Sequence, residues 1–554
     1  MPKDGKKQLA ESFRAIRSVF ENDDLRRIEL AFAGAVVGRY SALIVVTIFA
    51  FHAGGVTAVA IVTVARQLAS ATIAPFAASL TDRMRRERVM LFSDLARAAC
   101  AAAMATVVAV SGPAWVVYVI AVCSSMFGVV FRPAEAALIS ALARSPRELT
   151  AANVATSSFD SVGVFVGPAL GAFLIAVSGY TLAFAFVGAS ILWSAYFVSR
   201  ISTGADEAAP VDDEPQGGGL GELVAGFHVI GTDSRLRLLS GLYAAQCLVA
   251  GVLSVILVPT AIDLLGTGNA GVGLLQSACG VGAIVGAALS VGLIARAKLG
   301  VDLGFGLVLW GGPLALIAAV PHPWFAAIAL AILGVGNSIV DVCAVTLIQR
   351  STPGELTGRV FGVLESVTIA ALGVGALATP LLTHWLGIRG ALFTVGAFLP
   401  VLAVLSARGL TVIDRGARIP EEQIAALRAV PFLDLLPTQT IELLATRARR
   451  VELAADTVLF AEGDHGDSFY ALAEGTLEIA MPDGSRKEEQ APGYVGEIAL
   501  LRDVPRTATV TALTGSTLWA LDRDDFLGAV TGYGRAASRA DLVVASRLGP
   551  QPVG

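Results

Sequence analysis

The sequence predicts a mainly α membrane protein of twelve transmembrane helices in two six-helix repeats, followed by a small cytoplasmic β-barrel (jelly-roll) domain with flanking helices. Three observations carry that prediction. Charged residues make up 15% and apolar residues 55% of the 554-residue chain, against roughly 25% charged in ordinary soluble domains, so most of the chain cannot be a water-soluble globule. Between residues 28 and 408, apolar segments recur that are long enough to cross about 30 Å of hydrocarbon. After residue 420 the long apolar runs give way to short alternating segments cut by Gly463, Gly466, Gly475, Gly484 and Gly493, the pattern of a small β-domain.

Taken in order, residues 1–27 are basic, with Phe13, Ile16 and Phe20 at helical spacing among Lys3, Lys6, Lys7, Arg14 and Arg17, which reads as a cytoplasmic segment lying on an anionic membrane surface. No short apolar run followed by a cleavage site stands here, so no removed leader is expected. Residues 28–200 form the first half, with spans at 29–51, 56–80, 90–111, 114–142, 154–177 and 180–200. The linker 201–235 contains STGADEAAPVDDEPQGGG, acidic and rich in Pro and Gly, the composition of an unpacked connection. Residues 236–408 form the second half, with spans at 236–262, 271–295, 301–320, 323–348, 359–383 and 387–407, and a linker at 409–420 leads to the last domain, 421–554.

Orientation follows from the loops, since the net charge of −5 says little about a membrane protein. Arg83, Arg85, Arg86 and Arg88, then Arg144 and Arg147, and later Arg235, Arg237, Arg296, Lys298, Arg350 and Arg359 fall on one side, while the alternate loops carry only Arg389. The basic side is cytoplasmic, so both termini are expected inside the cytoplasmic membrane. The halves also repeat: ARSPRELT before span five (residues 143–150) returns as QRSTPGELT before span eleven (349–357), which places a binding cavity between the halves near the midplane. All five cysteines lie in apolar segments without CxxC spacing, so neither disulfides nor a metal site is expected.

Ionisable residues at membrane depth each need a reason. Glu135 and Asp341 stand nine residues before Arg144 and Arg350, so the repeat aligns them as candidates for cation contact or proton coupling. Asp160 and Glu365 form a looser pair. Arg39 and Arg66 could neutralise these acids or meet an anionic substrate, and Asp94 and Arg97, one turn apart near Asp82, Arg83 and Arg86, read as a gate-closing ion pair. The competing reading of the whole set is structural salt bridges.

In the last domain, residues 421–429 and 438–447 read as helices, with a small β-barrel from 451 and a return to helix at 524–548. Its most specific stretch is GYVGEIALLRDVPRTATV, residues 493–510. Gly496 lets backbone approach an anion, the residues from Glu497 to Leu501 make a helical turn, Pro505 delivers the planar fork of Arg506, and residues 507–510 resume as a strand. GEIALL followed by PRTATV resembles the phosphate cassette of cyclic-nucleotide-binding domains, a likeness extending over about 420–548. That resemblance implies Gly496 and Glu497 on the ribose side, Arg506 on the cyclic phosphate and Thr507 on phosphate or purine, with Ile498 and Ala499 also among the nucleotide-binding residues and with cAMP or cGMP as the regulatory ligand.

Two six-helix halves joined by a cytoplasmic linker resemble the major facilitator superfamily over residues 28–408. DRMRR (82–86) is similar to its basic loop motif, with Ala78 and Arg85 where glycine is usual, and GVFVGPALG (163–171) is similar to an exporter motif; FRPA (131–134) with the loop 146–153 resembles the subgroup of the enterobactin exporter. The alternative for span five is helix packing through small residues. The resemblance implies a gradient-driven exporter of a small molecule, embedded in the bilayer and regulated by cyclic nucleotide, and neither an enzyme nor a nucleic-acid binder. No ATP-binding loop, esterase elbow or potassium filter is present. A non-transporting membrane receptor with the same nucleotide input fits the charges equally, and a barrel that serves only for assembly is a third reading.

Overall fold

The computed structural model describes residues 22–142, 146–201, 220–294, 298–352, 356–416, 421–531, 538–540 and 542–543. The basic segment up to residue 21 and the linker stretch 202–219 lie outside the described residues. The chain divides into two compact units, Met1–Gly416 and Ala417–Gly554.

Among the described residues, the first unit has nine helices long and apolar enough to cross a membrane. Helix α1 (Asp23–Arg83) runs for 61 residues, about 90 Å if straight and far beyond one hydrocarbon thickness. It breaks at Gly55, whose φ of 63° and ψ of −159° belong to a region that only glycine occupies without strain. Helix α2 (Arg86–Ala109) follows, then α3 (Ala114–Val129) and α4 (Phe131–Leu142). The sequence predicts one span over 114–142; the structure interrupts it at Val130, since Pro133 has no N–H to give the Val129 carbonyl.

Helix α5 (Pro146–Val198) turns at Gly179, at φ 77° and ψ −179°. After α6 (Leu220–Thr232) come α7 (Ser234–Pro259), which ends in a π turn over Thr260–Leu264, α8 (Gly268–Ile294), α9 (Leu299–Ala319) and α10 (Pro323–Ser351). Helix α11 (Thr357–Gly416) turns at Gly387, at φ 67° and ψ 174°. Gly179→Ala or Gly387→Ala is therefore expected to lower stability by about 1–3 kcal/mol, read as an earlier thermal unfolding of the detergent-solubilised protein.

Helices in lipid gain from close packing, and glycine supplies it here. A Cβ on Gly163, Gly167 or Gly171 of α5 would meet Val36, Tyr40 and Ser41 of α1 at 2.0, 2.6 and 3.0 Å, and the Ser41 hydroxyl donates to the Gly167 carbonyl. The second half repeats the arrangement: a Cβ on Gly251 of α7 would fall 2.1 Å from the Leu372 carbonyl of α11, and one on Gly375 would fall 2.0 Å from that of Leu248. Arg389, the one cation on the wrong side of the loop pattern, caps a helix: it donates to the carbonyls of Ala318 and Ala319 at the end of α9.

The second unit starts with α12 (Glu421–Arg428) and α13 (Thr438–Arg447). Strands β1 (Arg449–Leu453), β2 (Val458–Phe460), β3 (Ser468–Glu474), β4 (Thr476–Ala480), β5 (Arg486–Gln490) and β6 (Gly493–Val495) lead to α14 (Glu497–Arg502). Strands β7 (Thr509–Ala512) and β8 (Ser516–Asp522) and helix α15 (Arg523–Thr531) complete it. The strands form two four-stranded antiparallel sheets, ordered β1-β8-β3-β6 and β2-β7-β4-β5. Alternation sorts their side chains. Leu472, Val495 and Leu518 face Leu477, Val510 and Ala512 between the sheets, while Phe469, Ala471, Tyr494 and Leu521 face the helices through Phe432, Ile441 and Phe526.

Candidate functional site

Strand β6 delivers Gly496 to the start of α14 at φ 93° and ψ 0°, left-handed backbone that favours glycine. Space demands it as well, since a Cβ there would lie 2.6 Å from Nη1 of Arg506 and 3.1 Å from the Ser468 carbonyl. Helix α14 stops after six residues at Asp503, also left-handed, and the chain returns through Pro505 to Arg506. The Arg506 backbone is held on both sides, its N–H donating to the Asp464 carbonyl and its carbonyl accepting from Gly463. The glycine-rich turn 462–467 thus serves to fix this arginine.

The Arg506 side chain is 3% exposed. Nη1 donates to the Gly496 carbonyl at 3.1 Å and Nη2 to the Ser468 carbonyl at 2.7 Å, while the guanidinium lies 4.2 Å from the ring centre of Phe460 and 5.8 Å from that of Tyr470. Burial pulls its pKa down, opposed by Tyr470, Asp467, Asp464 and Glu497. It stays a cation, as arginine does in proteins. Its Nε is buried and has no hydrogen-bond partner among the described residues, a donor that an anionic ligand would satisfy.

These residues line a cavity of about 720 Å³, within the range of small-ligand sites. Gly496, Glu497, Ile498, Ala499, Arg506 and Thr507 form one wall. Glu497 is 1% exposed, while Ile498 and Thr507 are half-buried. Phe460, Ile479, Met481, Tyr494 and Lys487 stand among the other lining residues, with Val543 from the C-terminal helical turn. An apolar wall beside a buried cation and a carboxylate suits a ligand with an aromatic body, a hydroxylated sugar and a phosphate. The strand resumes at Thr509, two residues later than predicted, because Thr507 and Ala508 bend along the cavity. Sequence reading missed Phe460 and Tyr470 beside the guanidinium, which come from β2 and β3.

In the membrane unit the structure joins Asp160 to two cations. Arg39 donates to its carboxylate at 2.6 Å, and Arg132 lies 3.3 Å from the same oxygen. Glu135 is 2% exposed, and its Oε1 has no partner among the described residues. Asp341 differs from its repeat mate: Gln246 and Asn337 donate to its two oxygens at 3.1 and 3.0 Å, and Asn337 also accepts from Trp310. Glu365 is exposed. Asp94 accepts from the Ser194 hydroxyl at 2.6 Å and lies 3.5 Å from Arg97. Arg86 donates to the Ala137 carbonyl of α4. Asp82 and Arg83 end α1, and their side chains lie outside the described residues. A residue that sequence reading missed is Glu29 in α1, fully buried, which accepts from the Thr156 hydroxyl at 3.0 Å. It stood at the first position counted as span and was passed over as a boundary.

Comparison with known proteins assigns both units. The model of the Major Facilitator Superfamily matches residues 29–302 and 239–461, and that of the cyclic nucleotide-binding domain matches 450–533. Over 73 residues the chain is 40% identical to a cAMP-dependent protein kinase regulatory subunit of Candida albicans, covering 13% of this chain and 16% of that one. Over 307 residues it is 26% identical to BacE of Bacillus amyloliquefaciens, a candidate bacilysin exporter, covering 55% of this chain and 75% of that one. A co-crystal structure of the regulatory domain of Toxoplasma gondii PKA with cAMP matches at 23% identity and a TM-score of 0.22, covering 25% of this chain and 53% of that one. The chain spans less than a fifth of the kinase subunits it matches. With the superfamily match extending over more than half of its residues, the chain belongs to the major facilitator superfamily of multi-pass membrane proteins and carries a cyclic nucleotide-binding domain at its C-terminal end.

Proposed function

We propose that this protein is a gradient-driven exporter of a small amphipathic molecule, of the enterobactin-exporter-like subgroup, whose activity is set by cAMP or cGMP bound at Gly496, Glu497, Arg506 and Thr507. The observation that carries the regulatory half is the buried Arg506 fork, held against Gly496 with one donor left over at the wall of a ligand-sized cavity. The transporter half rests on family membership and on the repeated glycine packing of α1 on α5 and α7 on α11. In this reading α1, α5 and α11 each contribute two spans, giving twelve, and the arginine-rich loops place both termini on the cytoplasmic side of the inner membrane. The domain limits are those read from the sequence, with halves at 28–200 and 236–408 and the nucleotide domain at 421–554. Asp82, Arg83, Arg86, Asp94 and Arg97 form the cytoplasmic gate, and Arg39, Glu135, Asp160, Asp341 and Glu365 line or brace the path.

The first unit ends at Gly416, and two residues earlier Asp414 accepts from the backbone N–H groups of Gly300 and Val301 at 2.7 and 3.0 Å, fixing the start of α9. Calorimetric titration of the full chain in nanodiscs with cAMP and separately with cGMP tests the regulatory reading. Binding of one nucleotide at one site per chain is expected. No heat from either nucleotide, in protein shown to be folded, would leave the domain a structural module.

A further inference from the structure

In the second half of the membrane unit, a chain of hydrogen bonds sets the orientation of each polar group around Asp341. The Trp310 indole of α9 can only donate, and it donates to Oδ1 of Asn337 on α10. Nδ2 of Asn337 is thereby turned to Asp341, donating to its Oδ2 at 3.0 Å. Gln246 of α7 meets two acceptors, Asn337 Oδ1 at 3.0 Å and Asp341 Oδ1 at 3.1 Å, so the network assigns its Nε2 to that side. Its Oε1 is left over. Gln246 is 3% exposed, and that oxygen is buried without a hydrogen-bond partner among the described residues. The donor groups of Trp310, Asn337 and Gln246 are all engaged, and what remains is acceptor.

A second carboxylate adds to the surplus. The thiol of Cys247, next to Gln246, donates to the Thr368 hydroxyl of α11 at 3.8 Å, and Glu365, one turn before Thr368, is exposed. Tyr243 of α7 lies within electrostatic reach of both Asp341 and Glu365. Tyr243, Asp341 and Glu365 stand nine, ten and eight residues from the basic-loop ends of their helices, Ser234, Ser351 and Thr357. At 1.5 Å per residue that is roughly 12–15 Å for each, a common depth. Residues 238–295, 299–349 and 360–388 contain no Lys or Arg, and the groups that act on the Asp341 carboxylate are the two amides. Carboxylates at membrane depth are costly without a cation.

Extending the transporter reading above, we propose that Tyr243, Gln246, Asp341 and Glu365 form a binding site for a protonated amine, and that the substrate of this protein carries one. An ammonium group brings one charge and up to three N–H donors, the complement of a site made of acceptors. Asp341 keeps lone pairs beyond the two that the amides use, Gln246 Oε1 has no donor, and Glu365 adds the second charge. The half-buried Tyr243 supplies an aromatic neighbour for the cation. A hard metal ion takes about six oxygens, and no group of three metal-ligating side chains occurs among the described residues. A single proton would answer one carboxylate and leave the other acceptors as they are. An anionic substrate would meet two like charges and no cation from this half.

Binding is tested without transport, by calorimetric titration of the full chain in lipid nanodiscs against empty nanodiscs. The probes are 4-phenylbutylammonium, the uncharged 4-phenylbutanol and the anionic 4-phenylbutanoate, which share one apolar body. The ammonium should bind at one site per chain, and the other two at least about tenfold more weakly. Asp341→Asn and Glu365→Gln should each weaken the ammonium about tenfold or more, the loss of one charged hydrogen bond, and Asp341→Glu should retain part of the affinity. Glu365 is exposed, so its variant keeps the test decisive if Asp341→Asn fails to fold. Sodium or magnesium in tenfold excess should not displace the probe. No binding of the ammonium, equal binding of the alcohol, displacement by either metal ion, or full affinity in both variants overturns the proposal. Counterflow of the bound ammonium in liposomes is read separately: binding without counterflow keeps the amine site and rejects the transporter reading.

Discussion

Arg506→Ala is expected to weaken cyclic-nucleotide binding to the full chain by about thirtyfold or more. Truncating one partner of a buried charged hydrogen-bond pair costs roughly 2–5 kcal/mol, and each 1.4 kcal/mol is about tenfold in affinity. The side chain also holds the Gly496 and Ser468 carbonyls and covers Phe460, so the alanine variant opens the loop that would hold the ligand. Arg506→Lys separates the two effects. It keeps a positive charge but loses the planar fork that reaches both carbonyls at once, so it should bind with intermediate affinity and an intermediate melting temperature. Calorimetry read beside thermal unfolding decides the matter: alanine variants that bind as tightly as the parent would remove Arg506 from the site. Transport should persist in the alanine variant if the domain only adjusts the rate.

The cassette was legible because its chemistry is local. Gly496, the helical turn and Arg506 lie within eleven residues, and the left-handed glycine, the short helix and the buried guanidinium all follow from that spacing. The rest of the cavity was not, since Phe460, Ile479 and Lys487 come from three strands whose register only the folded sheets define. The same division holds in the membrane unit. Loops near Ala53, Ser178 and His384 could be placed from hydropathy, and each backbone turns within a few residues, at Gly55, Gly179 and Gly387. The repeat paired Glu135 with Asp341, but their environments diverge because Gln246 of α7 and Asn337, one turn earlier on Asp341's own helix, both donate to Asp341, while a buried oxygen of Glu135 has no partner among the described residues. A period in sequence fixes where a carboxylate stands along a helix; the groups that face it are set by packing between segments far apart in the chain.

In the proposed transporter, Gly273→Val is expected to slow transport about tenfold while leaving both halves folded. Gly273 lies near the start of α8, at the end of the bundle away from the arginine-rich loops, where α8 of the second half packs on α5 of the first. A Cβ there would fall 2.5 Å from Cβ of Ala172 and 2.7 Å from the Pro168 carbonyl. One turn on, the Ser277 hydroxyl donates to the Phe165 carbonyl at 2.6 Å, and a Cβ on Gly280 would lie 3.2 Å from Val164. The exporter-like motif in α5 therefore has two uses: Gly163, Gly167 and Gly171 seat α1, while Val164, Phe165 and Pro168 meet the opposite half. Toward the basic loops Asn153, Val154, Ser157, Ser158 and Ser161 of α5 line a shallow, wide-open hollow of about 440 Å³. Two halves packed this closely at one end correspond to one state of a rocking pair of repeats. Valine puts branched atoms where the α5 backbone sits, so this closed state becomes less populated. Cysteines at Val164 and Gly280 in a cysteine-free background should cross-link readily in the parent and about tenfold more slowly with Gly273→Val, the change expected for a 1.4 kcal/mol shift between the two states. Unchanged cross-linking together with unchanged counterflow would mean that this seam stays shut throughout the cycle, and that α5 and α8 move as one body.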